Sequence, residues 1–168
     1  WFVVTLPKVT RPQEVAALAE ALEVLEDGLG FGAGTIGIEL MVEHPAALFD
    51  LEGRLALPAL VAAARGRCRA AHFGAYDYTA SLAITATHQT LRHPACDFVR
   101  HVMQVSLADS PVFLADGATT TMPVPIANPE RGQSPSAEMM TANRRAIHAA
   151  WRLHADNVRH GLIFGFYQ

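Results

Sequence analysis

Short, nearly unbroken apolar runs alternate with longer stretches in which apolar residues return every three or four positions. The runs are WFVVTLPK (1–8), TIGIELMVE (35–43), CRAAHFG (68–74), VFLADGA (112–118) and LIFGF (162–166). Continuous apolarity rich in Val, Ile and Phe predicts five buried strands. After the first, VTRPQEVAALAEALEVLED sets Val15, Leu18, Leu22 and Leu25 at helical spacing. Thr10 is placed to be its N-cap, with Pro12 in the first turn. PAALFDLEG and LPALVAAARG predict two helices after the second strand. PACDFVRHVMQVSLA (94–108) predicts a helix before the fourth strand, and the stretch 136–161 a long one before the fifth. GLGFGAG (28–34) reads as a flexible turn. TTTMPVPIANPERGQSPS (119–136) is a polar, Pro-rich loop, either a lid or a surface connection.

Strands that alternate with helices imply parallel pairing, because a crossover must carry the chain back before the next strand begins. The apolar runs further imply a sheet covered on both faces. The fold class is therefore α/β, either an open doubly wound sheet or a barrel of the TIM type. Both collect their chemistry at the carboxyl ends of the strands. Residues 1–168 are expected to form a single domain. The chain opens on a strand with no starting Met and closes on another, so the expectation is a segment cut from a longer chain.

Composition narrows the function classes. Of 168 residues, 51% are hydrophobic and only 17% charged, which excludes disorder. The net charge of −3 comes with no basic run, so neither nucleic acid nor an anionic membrane surface is expected as partner. No apolar run approaches the roughly 18 residues of a membrane span. Cys68 and Cys96 form no CxxC pair and are read as reduced structural thiols of a cytoplasmic protein. GLGFGAG lacks the Lys-Ser/Thr of a P-loop and precedes a strand, against the Rossmann order.

The carboxyl ends of the apolar runs carry the candidate chemistry. The first ends in Pro7-Lys8, the second in Glu43-His44-Pro45, the third in Gly74-Ala75-Tyr76-Asp77, the fourth in Asp116-Gly117. Charged groups at the same relative place on four successive strands point to one shared rim. Two carboxylates there, completed by hydroxyls and water, suit a hard cation such as Mg²⁺ or Mn²⁺. No His pair has the spacing of a zinc site. A carboxylate at the end of a buried strand is costly unless paired or metal-bound. Asp77 therefore either shares a divalent ion with Glu43 or caps the following turn, TASL.

Three segments carry a family resemblance. VVTLPKV, MVEHPAAL and HFGAYDYTASL resemble, in order, the PK, Glu and Gly-x-x-Asp segments of the HpcH/HpaI aldolase and citrate lyase beta-subunit family, with malate synthase as a more distant relative. The resemblance implies a TIM-type (β/α)₈ barrel that binds phosphoenolpyruvate- or pyruvate-like ligands. The five strands would be its strands 4 to 8, a partial barrel. It implies Glu43 and Asp77 as metal ligands for Mg²⁺ or Mn²⁺. Backbone N–H groups around Gly74 and Ala75, next to Tyr76, would receive the substrate carboxylate. Lys8 falls on the PK lysine, which is either near the site floor or in an ion pair inside the barrel, and Asp116 on the end of the seventh strand. His44, His72 and His88 are candidates for a general base by position only. The arginine that grips the substrate in that family has no counterpart in these 168 residues, and the stretch from Glu43 to Asp77 is longer than usual.

Three functions follow as expectations. The first is a metal-dependent carbon–carbon lyase or aldolase acting on a small 2-oxo acid, with a CoA thioester as a further partner. The second is a phosphoenolpyruvate-handling phosphotransferase or a hydrolase on the same scaffold. The third is a non-catalytic ligand-binding barrel. The family's habit of assembly leaves room for a homo-oligomer.

Overall fold

A four-stranded parallel sheet carries the chain in the computed structural model, which describes residues 2–167. The strands are β1 (Phe2–Leu6), β2 (Ile36–Val42), β3 (Cys68–Phe73) and β4 (Phe113–Ala115), side by side in chain order. The helices are α1 (Pro12–Leu29), α2 (Leu57–Ala63), α3 (Ala75–Ser81), α4 (Pro94–Leu107) and α5 (Ala137–Ile163). Trp1, counted in the first predicted strand, lies outside the described residues. No described helix is long and apolar enough to cross a membrane.

Sequential strand order decides where the core lies. Right-handed crossovers between neighbouring parallel strands all deliver their helices to the same side. Helix α1 packs on α2, and α2 on α4, along that side. There Ile36, Ile38, Leu40 and Val42 of β2 and Ala71 and Phe73 of β3 are fully or almost fully buried. The alternate residues face the other way. Thr5 is exposed and Glu39, Met41 and His72 are half-buried. The expected cover on both faces is thus replaced by cover on one, and the four described strands show no reversal of order of the kind a doubly wound sheet has.

Three predicted elements change. LIFGF is not a strand: Leu162 and Ile163 finish α5, and Gly165, at φ +74°, turns the chain away. The N–H of Phe166 donates to the Gly161 carbonyl and that of Gly165 to Leu162, a Schellman ending. Among the described residues of this segment Tyr167 reaches the sheet, through a parallel bridge to Ala115. PAALFDLEG holds one short 3₁₀ turn, Pro45–Ala47. Beyond it the Asp50 carboxylate accepts the N–H groups of Glu52 and Arg54 and competes with helix formation. Thr10 is not the N-cap of α1; Arg11 stands there, and Glu14 folds back to accept the N–H groups of both Thr10 and Arg11.

The amino ends of the strands are tied by a buried ion pair. Arg67 grips Glu26 with two nitrogens, both at 2.8 Å, and Glu26 also accepts from the N–H groups of Gly34 and Ile36. The Arg67 guanidinium, followed by these backbone donors, holds the Glu26 carboxyl down at about 2. A depressed carboxyl stabilises the fold above its ordinary pKa and stops doing so as pH falls through the folded value. The stability due to Glu26 is therefore lost between pH of about 4.5 and about 2. Glu26→Gln is expected to lower the urea midpoint at neutral pH and to flatten its pH dependence across that interval. A slope equal to the parent's would contradict the pair's role.

Candidate functional site

Glu43 and Asp77 reach one another from the carboxyl ends of two adjacent strands. Glu43 follows β2 directly and is buried, with 8% of its surface exposed. Asp77 sits in the first turn of α3, three residues beyond Gly74. Gly74 makes the approach possible. A Cβ there would lie 2.5 Å from the Glu43 Cβ and 2.7 Å from its Oε2, so no other residue fits beside that carboxyl.

Lys8 holds both carboxyls. Its main-chain N–H donates to Glu43 Oε1 at 2.7 Å, and its ammonium donates to Asp77 Oδ2 at 2.8 Å. The residue adopts φ +51°, the left-handed region that side chains with a Cβ disfavour. The two hydrogen bonds give that conformation its reason. Burial pushes the Glu43 carboxyl up; the Lys8 N–H opposes this, and the hydrogen bond with Asp77 adds to the rise. The Lys8 ammonium, then the Glu43 hydrogen bond, holds Asp77 below the usual carboxylate range. Asp77 in turn keeps the Lys8 ammonium charged to higher pH.

Two converging carboxylates fit a small hard divalent ion. Mg²⁺ is held by one or two carboxylates and completes its shell with water or substrate oxygens. Among the described residues no group of three His, Cys, Asp or Glu forms a full protein cage. The two carboxylates suit Mg²⁺ or Mn²⁺ shared with a ligand.

Other predicted residues go elsewhere. Asp116 follows β4 at its carboxyl end and lines a cavity there, but its carboxylate is tied up in an ion pair. It is 3% exposed and accepts from Arg100 Nε and a terminal nitrogen at 2.9 to 3.2 Å; Arg100 itself is fully buried. His44 caps the turn that follows it, its Nδ1 accepting the Ala46 N–H at 3.2 Å. The Gly74 N–H cannot receive a substrate carboxylate as expected, because it donates to the Val42 carbonyl at 2.9 Å. Ala75 is buried at the start of α3, and Tyr76 is half-buried beside it. The loop 119–136 is fastened to α5: Asn143 accepts the N–H groups of Ile126 and Ala127 and donates to the Ala127 carbonyl. Cys68 and Cys96 are free and buried, and burial pushes both thiols up to about 11.

Arg100 and Glu39 are not singled out by the sequence pattern. Arg100 sits on α4 with Asp97 three residues before it, and the pair bond at 2.8 Å. A lone Arg on the apolar stripe Cys96, Val99, Met103 was the available signal. On the uncovered sheet face the Thr5 hydroxyl donates to Glu39 at 2.6 Å, and His72 Nδ1 lies 3.7 Å from the same carboxylate. A cavity of about 600 Å³ opens beside His72, walled by Thr119, Met122, Trp151 and His154.

The comparisons with known proteins follow from this geometry. The profile of the family described as Domain of unknown function (DUF6986) matches residues 1–168. The chain belongs to that family. A search of curated proteins finds no match. Among solved structures, Haloferax volcanii malate synthase is similar in fold. Its lead(II) complex aligns with a TM-score of 0.51 at 19% identity, over 86% of this chain and 37% of that one. Its native form with glyoxylate gives 0.52 at 20%, over 86% and 38%. Its pyruvate/acetyl-CoA ternary complex gives 0.53 at 16%, over 94% and 40%. The DUF6986 chain thus spans less than half the length of these neighbours, and its four-stranded parallel sheet is similar to part of their fold.

The Arg100 pair makes a stability prediction. Asp116→Asn removes the buried one of the two carboxylates paired with Arg100 and leaves only the more exposed Asp97, at a cost that approaches the roughly 3–5 kcal/mol of a broken buried pair. Thermal unfolding should show that loss; a variant of parental stability would contradict the pair's role.

Proposed function

We propose that this DUF6986 domain is the carboxylate-bearing part of a TIM-type barrel enzyme that makes or breaks a carbon–carbon bond in a small 2-oxo acid, with a CoA thioester as partner. The convergence of Glu43 and Asp77 over Gly74 carries this reading. Sequential strand order with helices on one side is what a barrel wall requires, the uncovered face then lining the interior. The order of the PK, Glu and Gly-x-x-Asp segments supports kinship with the HpcH/HpaI and citrate lyase beta-subunit enzymes. Malate synthase bound to pyruvate and acetyl-CoA supports the substrate class, and its lead(II) complex supports a divalent cation.

Glu43 and Asp77 would hold Mg²⁺ or Mn²⁺. That ion supplies Lewis acidity to the oxygens of a 2-oxo acid, which favours aldol or Claisen chemistry. The rest is the work of the chain. Gly74 admits the Glu43 carboxyl to its position. Lys8 keeps the two carboxyls converged through its N–H and its ammonium. Ala75 and Tyr76 form the edge over which a ligand would lie.

Calorimetry of the intact protein with Mn²⁺ or Mg²⁺, with and without pyruvate or oxaloacetate, tests the reading. The cation should strengthen ligand binding. Glu43→Gln and Asp77→Asn should each weaken cation binding by about tenfold or more and remove the coupling, a loss at least as large as outer-shell changes bring. Variants that bind cation and ligand as the parent does would leave Asp77 a helix residue and remove the enzyme reading.

A further inference from the structure

We infer that Lys8 is a resident cation of the carboxylate pair: it holds Glu43 and Asp77 in place without metal, leaves Asp77 when a divalent cation enters, and then receives the anionic end of the ligand. The inference rests on the metal reading above and assigns to Lys8 a role in cation selection and ligand capture.

The geometry shows a bridge. One residue touches both carboxyls, by main chain at 2.7 Å and by side chain at 2.8 Å. The two halves of the bridge differ in permanence. The N–H contact to buried Glu43 is fixed by the backbone. The ammonium contact lies open to solvent, with 69% of the Lys8 side chain and 55% of the Asp77 side chain exposed. An exposed ion pair is weak and exchangeable.

Residue type points the same way. Lys8 is the only lysine in the chain, and every other Lys/Arg position is arginine. Where a permanent clamp is needed the chain uses Arg: Arg67 on Glu26 and Arg100 on Asp116, both gripping with two nitrogens and both buried. A guanidinium locks a carboxylate with a rigid fork. An ammonium is a compact charge on a flexible stem, suited to a contact that must break.

Charge balance completes the argument. In the metal-free pair the Lys8 ammonium lies on Asp77, at 2.8 Å. A divalent cation with both carboxylates ionised is neutral without Lys8. The ammonium then loses its partner at the rim where the ligand arrives and is free to receive an anionic group. A monovalent cation offers Asp77 no more charge than the ammonium does, which selects for divalent ions.

The test uses the intact protein, with Lys8→Met and Lys8→Asn as variants. Asn tolerates the left-handed backbone, so it keeps the turn if Met does not fold. Circular dichroism and thermal unfolding confirm the fold of each. Titrated with Mn²⁺ alone, both variants should bind about two- to fivefold more tightly than the parent, the scale of an exposed ion pair. Lys8→Arg should not bind more tightly. At saturating Mn²⁺ both variants should bind pyruvate about tenfold more weakly than the parent, as loss of a charge-assisted contact requires. These opposite shifts are the signature; a merely structural lysine would weaken both. Unchanged or weaker Mn²⁺ binding in the variants overturns the inference alone, as does unchanged pyruvate binding. A parent that binds no Mn²⁺ overturns the function reading, and this one with it.

Discussion

Two carboxyls that meet at the end of a parallel sheet repel one another, and burying one of them raises the cost. The protein resolves this with Lys8, whose backbone bends into the left-handed region to reach both partners. Much of the local sequence exists to make that meeting possible. Gly74 gives up a side chain so that the Glu43 carboxyl can occupy the space. Val9, fully buried one residue on, fixes the strand end from which Lys8 projects.

The sheet supplies the scaffold. Four parallel strands in chain order deliver their carboxyl ends to one edge, so residues far apart in sequence become neighbours there. The packed side holds the helices and the aliphatic core. Two buried Arg–carboxylate clamps secure the assembly at opposite ends: Glu26 with Arg67 where β2 and β3 begin, and Asp116 with Arg100 where β4 ends. The other side presents Thr5, Glu39 and His72, joined through the Glu39 carboxylate.

The four sheet strands were readable because apolar runs of that length have few other uses. The meeting of Lys8, Glu43, Gly74 and Asp77 was readable too, since parallel strands put equivalent ends together. What failed did so for local reasons. LIFGF has the composition of a strand, yet the helix before it continues to Ile163 and Gly165 ends it, a choice made by capping geometry that hydrophobicity does not report. PAALFDLEG looks helical by period, but the Asp50 side chain takes the backbone donors that a helix would use. Asp116 resembled Glu43 and Asp77 in sequence position. Its difference lies in Arg100, sixteen residues away on α4, and no one-dimensional pattern ties those two together.

The most direct measurement is the anomalous scattering of a Mn²⁺-soaked crystal of the intact protein. The account predicts a peak bridging the carboxylates of Glu43 and Asp77, with the Lys8 ammonium moved off Asp77. A crystal with no peak at that pair, and Lys8 still bonded to Asp77 at high Mn²⁺, would contradict it and leave the pair a structural ion bridge.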